Sequence, residues 1–202
     1  MTTQPTGLVA ILRGVTPDDA VAVAEAVLDA GFDAVEVPYN SPEPLESIRR
    51  IRAAGPPDRR VGAGTVLTPD DVRRAADAGA SLIVSPNTRA DVVAETVRLG
   101  LGSYPGAATP TEAFAALDAG ARAVKLFPST TIGIDGMRAW ASVLPPGTEL
   151  VPVGGVDTTN LAAWAAAGAA GAGVGTSLYR PGDAPATVGA RAAELVRIWH
   201  DR

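Results

Sequence analysis

The 202-residue sequence has no cysteine, a single histidine and a single lysine. The absence of cysteine excludes disulfide bonds, thiolate metal sites and cysteine nucleophiles. The histidine, His200, lies two residues from the C-terminus, so we expect neither a histidine-based catalytic triad nor a multi-histidine metal site. We therefore predict chemistry that needs no metal and no cofactor. The lysine, Lys125, lies within the apolar stretch AVKLFP, although the chain uses arginine at every other basic position.

Basic residues are outnumbered by acidic ones, 17 to 22, so the net charge is −5 and the pI is about 4.9. The sequence has no visible basic patch, which argues against nucleic acid or an acidic membrane surface as a partner. No apolar stretch reaches the ~20 residues needed to span a bilayer, and the N-terminus MTTQPTG has no signal-peptide pattern. These features predict a soluble cytoplasmic protein. A hydrophobic content of 47% with no composition break predicts one domain over residues 1–202.

One pattern recurs along the chain: a helical run, a glycine and then a short apolar strand. The glycines of this pattern are Gly31, Gly79, Gly120 and Gly168. Each is typical of the left-handed residue that ends a helix. Three predicted helices also begin with threonine, then proline, then an acidic residue in the first turn, which is a typical helix start. These threonines are Thr16, Thr68 and Thr109.

Strands and helices are therefore predicted to alternate eight times. The predicted strands are 8–14, 34–38, 61–66, 82–86, 102–107, 123–128, 150–155 and 170–175. The predicted helices are 17–30, 42–54, 69–78, 89–99, 110–119, 135–143, 158–167 and 184–200. Such repetition favours a parallel α/β fold, and a (β/α)8 TIM barrel is its natural closure. A doubly wound open sheet is the alternative.

If the fold is a barrel, alternation along the strands directs four polar side chains toward its axis, near the strand ends that carry active sites in this fold. They are Arg13, Glu36, Thr65 and Lys125. For Thr65 the argument is that it shares a face with Ala63. Three structural explanations remain open: a packed threonine, an Arg13–Glu36 salt bridge and a Lys125–Glu36 pair.

Lys125 carries the strongest chemical prediction. Burial of an ammonium group costs several kcal/mol unless the group is paired or neutralised. Burial also lowers a lysine pKa, and unlike arginine a lysine can lose its proton and attack a carbonyl. Lys125 is therefore a candidate for Schiff-base formation with a ketone. Glu36 is then the candidate acid and base, since there is no suitably placed histidine.

The last two predicted units are rich in glycine, in VPVGGVDTTN (151–160) and AGAGVGTSLY (170–179). Backbone amides in such loops bind phosphate, and the loops after strands seven and eight are the usual phosphate site of this barrel. The alternative is that the glycines only permit close packing of helices on strands. The residues alone thus suggest a phosphorylated keto compound as substrate.

The motifs together resemble the class I aldolases of 2-keto-3-deoxy-6-phosphosugar acids. They are ILRG (11–14), EVPYNSP (36–42), GAGTVL (62–67), SPN (85–87), PGAATPTE (105–112), KLFPS (125–129), VGGV (153–156) and GTSLY (175–179). The resemblance implies a homotrimeric barrel that yields pyruvate and D-glyceraldehyde 3-phosphate. It implies Lys125 as the Schiff-base residue and Glu36 as the general acid/base. The implied substrate-binding residues are Arg13, Thr65, Pro86, Phe127, Val153, Gly154, Gly155, Gly175 and Thr176.

Two positions resemble the branch of this family that acts on the phosphogalactonate-derived substrate. They are Asn40, where the gluconate branch has arginine, and Val153, where it has threonine. A threonine hydroxyl can pair with the C4 hydroxyl of one epimer, and valine cannot. The alternatives are a gluconate-series or 4-hydroxy-2-oxoglutarate aldolase and, in another class, a phosphosugar-binding barrel without turnover.

Overall fold

A computed structural model describes residues 6–201, in which eight helices alternate with nine strands. The strands are β1 (Gly7–Ile11), β2 (Ala34–Pro38), β3 (Val61–Gly64), β4 (Leu82–Val84), β5 (Gly102–Tyr104), β6 (Gly106–Ala107), β7 (Val124–Leu126), β8 (Leu150–Pro152) and β9 (Gly171–Val174). The helices are α1 (Pro17–Asp29), α2 (Pro44–Ala54), α3 (Pro69–Asp77), α4 (Ala90–Arg98), α5 (Pro110–Asp118), α6 (Ser129–Ala141), α7 (Leu161–Ala166) and α8 (Pro185–His200). None of these helices is long and apolar enough to cross a membrane.

The strands form two sheets in which every paired strand is parallel to its neighbour. One sheet has the order β5-β4-β3-β2-β1-β9 and the other the order β6-β7-β8. An isolated parallel bridge between Val153 and Gly173 joins the end of β8 to β9. At the other edges of the two sheets, the backbone N–H of Arg122, just before β7, donates to Ser103 O of β5 at 2.9 Å. The predicted parallel α/β class is confirmed.

The expected strand over residues 102–107 is wrong in detail, because Pro105 divides it into β5 and β6. Proline has no backbone N–H and cannot donate to a strand ladder. The chain therefore pairs with β4 before Pro105 and with β7 after it. The carbonyl of Pro105 still accepts a hydrogen bond from Lys125 N at 3.0 Å, which holds the divided strand against the lysine strand.

The predicted helix starts are confirmed at the three threonines. The side chains of Thr16 and Thr68 each accept a hydrogen bond from the backbone N–H three residues later. Thr109 forms a full capping box with Glu112, whose carboxylate in turn accepts the Thr109 N–H. These contacts satisfy amide groups that have no partner inside the helix.

The predicted helix ends are also confirmed. All four glycines of the recurrent pattern have φ between 93° and 108°, in the region that favours glycine. They are Gly31, Gly79, Gly120 and Gly168. A side chain at these positions would strain the backbone, so the recurrent glycine marks the turn from each helix into the following strand.

Helix α6 begins six residues before the predicted start at residue 135. Its first turn, from Ser129, is separated from the rest by Gly133, whose φ of 71° is not helical. The Ser129 N–H donates to Val153 O at 2.8 Å, which ties this first turn to the end of β8. A sequence prediction that begins the helix after Gly133 misses this turn, because a tertiary contact with the end of β8 holds the turn in place.

Apolar side chains form two clusters on the two sides of the strands. The larger cluster joins alternate strand residues, such as Leu8 and Ala10, to the helices. The smaller one lies on the opposite side and consists of strand residues such as Val9, Ile11 and Ala123. Alternation along the strands therefore directs one set of side chains away from the helices, and the polar site lies on that side.

Candidate active site

A cleft of about 410 Å³ opens at the C-terminal ends of the strands. Ten of the eleven predicted site residues line it, and Pro86 is the exception. Those ten are Arg13, Glu36, Thr65, Lys125, Phe127, Val153, Gly154, Gly155, Gly175 and Thr176. The volume is in the range of ordinary small-molecule sites. The fold thus brings together side chains that are up to 163 residues apart, from Arg13 to Thr176.

Lys125 lies in the middle of β7 and is 8% exposed. Its neighbours Val124 and Leu126 pack toward the helices, so Lys125 faces the opposite side, as the alternation predicts. The Lys125 Nζ lies 4.6 Å from the centroid of the Phe127 ring. Contact with an aromatic face offsets part of the cost of burying the ammonium group.

Glu36 occupies the equivalent position on β2 and is 2% exposed. A Cβ at Gly64 on the adjacent strand would lie only 1.8 Å from Glu36 Oε2, so the carboxylate fits because residue 64 is glycine. Glu36 Oε2 is buried and has no hydrogen-bond partner in residues 6–201. A buried carboxylate oxygen without a partner is costly, and a substrate proton or hydroxyl group would satisfy it.

Burial shifts both titrations toward the neutral forms. Desolvation raises the pKa of Glu36 to about 7, against the opposing charges of Lys125 and Arg13. Desolvation lowers the pKa of Lys125, against Glu36 and with a further contribution from Arg13. A protonated Glu36 carboxyl group is therefore accessible near neutral pH, which suits a proton donor, and the shift of Lys125 favours its neutral amine, which suits a nucleophile.

Neither structural ion pair considered for these residues is present in the described part of the chain. No salt bridge within 4.0 Å joins Glu36 to Lys125 or to Arg13, whereas other pairs such as the half-buried Arg122–Glu149 reach 2.7 Å. Arg13 is exposed, and its Nη1 instead donates to Asn40 Oδ1 at 2.5 Å. The guanidinium group thus keeps its full charge toward the cleft while Asn40 orients it.

Thr65 lies in the cleft, but the argument that predicted this is wrong. Its supposed face-mate Ala63 packs toward the helices. Strand β3 ends at Gly64, and Thr65 has a φ of 56°, in the left-handed region. This backbone turn, rather than strand alternation, directs Thr65 into the cleft. A non-glycine residue in that region stores strain, which frequently marks a functional site.

Pro86 is half-buried beyond the end of β4, where its backbone packs against Gly106 of β6. An added Cβ at Gly106 would lie 2.4 Å from Pro86 O, so the two segments are in close contact. This contact holds Pro86 beside β6 rather than in the cleft wall. The predicted contact of Pro86 with substrate stays a prediction.

The glycine loops form the other end of the cleft. Gly154 and Gly155 have φ values of 97° and 76°, and side chains hold their carbonyl oxygens. Ser129 Oγ donates to Gly154 O at 2.6 Å, and Asn160 Nδ2 donates to Gly155 O at 2.8 Å. Within residues 6–201, the backbone N–H groups of Gly155 and Thr176 donate to no other group. Free amides in a fixed loop are suited to an anion.

The prediction from sequence missed several residues that line the cleft, among them Tyr179, Arg180 and Pro181. Tyr179 ends the motif GTSLY and the other two follow it in the loop after β9, and this position in the last βα unit was the available signal. No group of three or more His, Asp or Glu side chains in the described chain is placed to hold a metal ion.

Comparison with known proteins shows the family of the chain. The family model of KDPG and KHG aldolases matches residues 2–185. The 2-dehydro-3-deoxy-6-phosphogalactonate aldolase of Escherichia coli (strain K12) is 47% identical over 194 residues, which cover 96% of this chain and 95% of that protein. The probable 2-dehydro-3-deoxy-6-phosphogalactonate aldolase of Rhizobium meliloti (strain 1021) is 44% identical, with 92% of this chain and 87% of that protein covered.

Among solved structures, the "Native KDPGal structure" superposes with a TM-score of 0.94 and 47% identity. The match covers 96% of this chain and 94% of that one. The chain belongs to the KDPG and KHG aldolase family. It is an aldolase, and aldolases are carbon–carbon lyases.

Proposed function

We propose that the protein is a class I aldolase that cleaves 2-dehydro-3-deoxy-6-phospho-D-galactonate to pyruvate and D-glyceraldehyde 3-phosphate. The observation that carries the proposal is a buried lysine with a lowered pKa and a buried glutamate with a raised one, both lining a cleft with free loop amides at its other end. The similarity to two phosphogalactonate aldolases supports the choice of substrate.

The reaction begins when neutral Lys125 Nζ attacks the C2 ketone. Protonated Glu36 donates the proton with which the carbinolamine loses water, and a protonated imine forms. Glu36, now a carboxylate, removes the C4 hydroxyl proton directly or through water. The C3–C4 bond then breaks, its electron pair passes to the imine, and glyceraldehyde 3-phosphate leaves. Protonation of the enamine at C3 and hydrolysis of the imine release pyruvate and regenerate the amine.

The rest of the cleft binds the two ends of the substrate. Arg13, held by Asn40, pairs with the carboxylate, and Thr65 contacts the same end. Phe127 packs against the three-carbon unit that becomes pyruvate. Loop amides near Gly155 and Thr176 receive the phosphate. Binding at both ends holds C2 beside Lys125, and such positioning contributes directly to rate.

Val153 supports the choice of the galactonate-derived acid as substrate. It is 6% exposed and packs among the apolar strand residues, so it offers no group that could bond a C4 hydroxyl. A site that pairs a hydroxyl strongly rejects substrates that cannot use the pairing group. Valine therefore removes the preference that a threonine would give to the other epimer.

The two sheets together form one closed (β/α)8 barrel in this proposal. Two seams need closure: β5 to β7, where Arg122 N donates to Ser103 O, and β8 to β9. The Val153–Gly173 bridge and the bond from Ala170 N to Leu150 O at 3.0 Å support the second. An experimental structure that left either seam without hydrogen bonds would contradict closure.

The proposed assembly is a homotrimer in the cytoplasm, following the family that the chain belongs to. Sedimentation of the purified chain measures its stoichiometry. A monomer with full activity would contradict a trimer that is needed for function.

The decisive experiment measures pyruvate release from the two C4-epimeric phosphorylated keto acids side by side. We expect the galactonate-derived acid to be cleaved with a kcat/KM at least about 10-fold higher. Equal rates would support the aldolase function but contradict a role of Val153 in selecting the epimer. If neither acid were cleaved, a borohydride trap with pyruvate would separate an aldolase of another substrate from a binding protein, since a protein that only binds forms no reducible adduct.

A further inference from the structure

Arg180 is a cation at the phosphate end of the cleft that the mechanism above does not use. It lines the cleft together with Gly154, Gly155 and Thr176. Its Nε donates to Thr176 O at 3.3 Å, so the guanidinium group lies beside a residue whose own N–H is free. The two Nη groups make no hydrogen bond within residues 6–201 and are available to a ligand.

The backbone that carries Arg180 is firmly held. The Asp183 carboxylate accepts the Arg180 N–H at 3.0 Å and Arg191 Nη1 at 2.5 Å. Arg191 Nη1 also donates to Leu178 O at 3.1 Å, which ties the loop to α8. A loop fixed in this way holds a side chain in position without loss of further backbone entropy on binding.

The two neighbours of Arg180 in sequence are also packed against the rest of the protein. Tyr179, the residue before Arg180, is 3% exposed. Pro181, the residue after it, packs so closely on Gly14 that an added Cβ there would lie 2.7 Å from the proline Cγ. The loop after β9 therefore rests on the end of β1, and Arg180 projects from between two packed residues.

No carboxylate forms a salt bridge with Arg180 in the described chain. Asp183 accepts the Arg180 backbone N–H and pairs with Arg191, and its pKa is lowered mainly by that pairing, with a smaller contribution from the Arg180 charge. Many other arginines of this protein are paired on the surface, for example Arg98 with Glu95 at 2.7 Å. An arginine that lines a cleft without an acidic partner is suited to an anionic ligand.

The charge balance of the substrate points the same way. A phosphate monoester carries about −1.5 to −2 charges at pH 7. Arg13 and Lys125 are engaged at the carboxylate and ketone end, and Asp157 adds a negative charge to the cleft wall near the glycine loops. Without Arg180, loop amides alone would face the more highly charged end of the substrate.

We propose that Arg180 binds the phosphate group of the substrate and makes the enzyme selective for phosphorylated over unphosphorylated keto acids. The inference rests on the proposed aldolase function and adds a phosphate ligand to it. Arg180 takes no part in the bond-breaking steps. Its loss therefore raises KM for the phosphorylated acid and leaves the Schiff-base chemistry intact.

The test compares Arg180→Gln with the parent on the phosphorylated keto acid and on the same acid without phosphate. We expect kcat/KM for the phosphorylated acid to fall by about 10- to 100-fold, mainly through KM, because a charge-assisted hydrogen bond is lost. The slow reaction of the unphosphorylated acid should be unchanged. Arg180→Lys, which keeps the charge, should recover part of the loss, and inorganic phosphate should inhibit Arg180→Gln less than the parent.

Arg197→Gln is the matched control, since Arg197 is an exposed arginine on α8 outside the cleft. It should behave as the parent with both substrates. An equal loss with both acids, or no loss with the phosphorylated one, would overturn the role of Arg180. The borohydride trap with pyruvate keeps the two proposals apart: if the parent formed no adduct, the aldolase function itself would have failed.

Discussion

At the scale of single residues, Lys125 and Glu36 have shifted pKa values because they are buried without being paired. Two exposed groups of opposite charge would both stay ionised near neutral pH, and neither could exchange protons readily with a substrate. Burial disfavours both charged forms, raising the pKa of Glu36 and lowering that of Lys125. Since no ion pair within 4.0 Å fixes them to each other, each remains available to a ligand.

The amine of Lys125 is the group that the proposed reaction cannot replace. Lys125→Arg keeps a positive charge in the same strand but removes the ability to form an imine. We expect cleavage to fall by roughly three or more orders of magnitude, as when a covalent nucleophile is removed. Pyruvate with borohydride should label the parent and not the variant, as measured by protein mass. Circular dichroism checks that the variant folds, and substantial cleavage by a folded variant would refute the Schiff-base mechanism.

Strand alternation predicts the orientation of Lys125 and Glu36 because both lie within regular strands. It fails for Thr65, since that residue lies past the strand end at a positive φ that periodicity does not encode. It says nothing of Arg180, whose orientation depends on contacts of its loop with Gly14 and Arg191. Side chains within regular elements are thus predictable from sequence, and side chains on loops depend on tertiary contacts.

At the scale of elements, local chemistry determines where most helices begin and end. Threonine caps and left-handed glycines were predictable because each depends on residues close in sequence. The early start of α6 was not predicted, because it depends on a partner in a distant strand, whereas the split at Pro105 follows from the missing proline N–H. Ser129, the first residue of α6, is held by the end of β8.

The capping box at Thr109 allows a direct test of this local stability. Thr109→Ala removes the side chain that accepts the Glu112 N–H, and we expect a loss of about 1 kcal/mol in the free energy of unfolding. Thr111→Ala, an exposed change on the same helix, is the matched control and should cost little. Equilibrium urea unfolding followed by circular dichroism measures both. Equal stability of the two variants would mean that the cap contributes nothing.

At the scale of the whole molecule, the parallel strands bring the C-terminal ends of distant segments into one cleft. Carboxylate, ketone and phosphate of one substrate can then meet residues from both ends of the chain. The same architecture buries Glu36 and Lys125 where their charged forms are disfavoured, so the active site makes global stability depend on pH.

That dependence has a definite sign. The pKa of Glu36 is about 7 in the folded protein and near the usual 4.5 in the unfolded chain, so between these pH values only the folded state holds the proton. Its contribution to stability is full below about pH 4.5 and is lost as the pH rises through 7. The charge of Glu36 also raises the pKa of Lys125, so removing the carboxylate lowers that pKa further. This effect also makes the stability of the parent relative to Glu36→Gln fall as the pH rises.

We therefore expect the free energy of unfolding of the parent, minus that of Glu36→Gln, to decrease between pH 4.5 and 7. The decrease should be on the order of 3 kcal/mol, from the size of the pKa shift. Glu46→Gln is the control, because Glu46 is partly exposed with a pKa lowered by Arg50, and its difference from the parent should be flat over this range. Urea unfolding of the three proteins across the pH series measures both differences. A difference for Glu36→Gln that stayed constant or rose with pH would show that Glu36 is ionised at neutral pH and would remove it as the proton donor for imine formation.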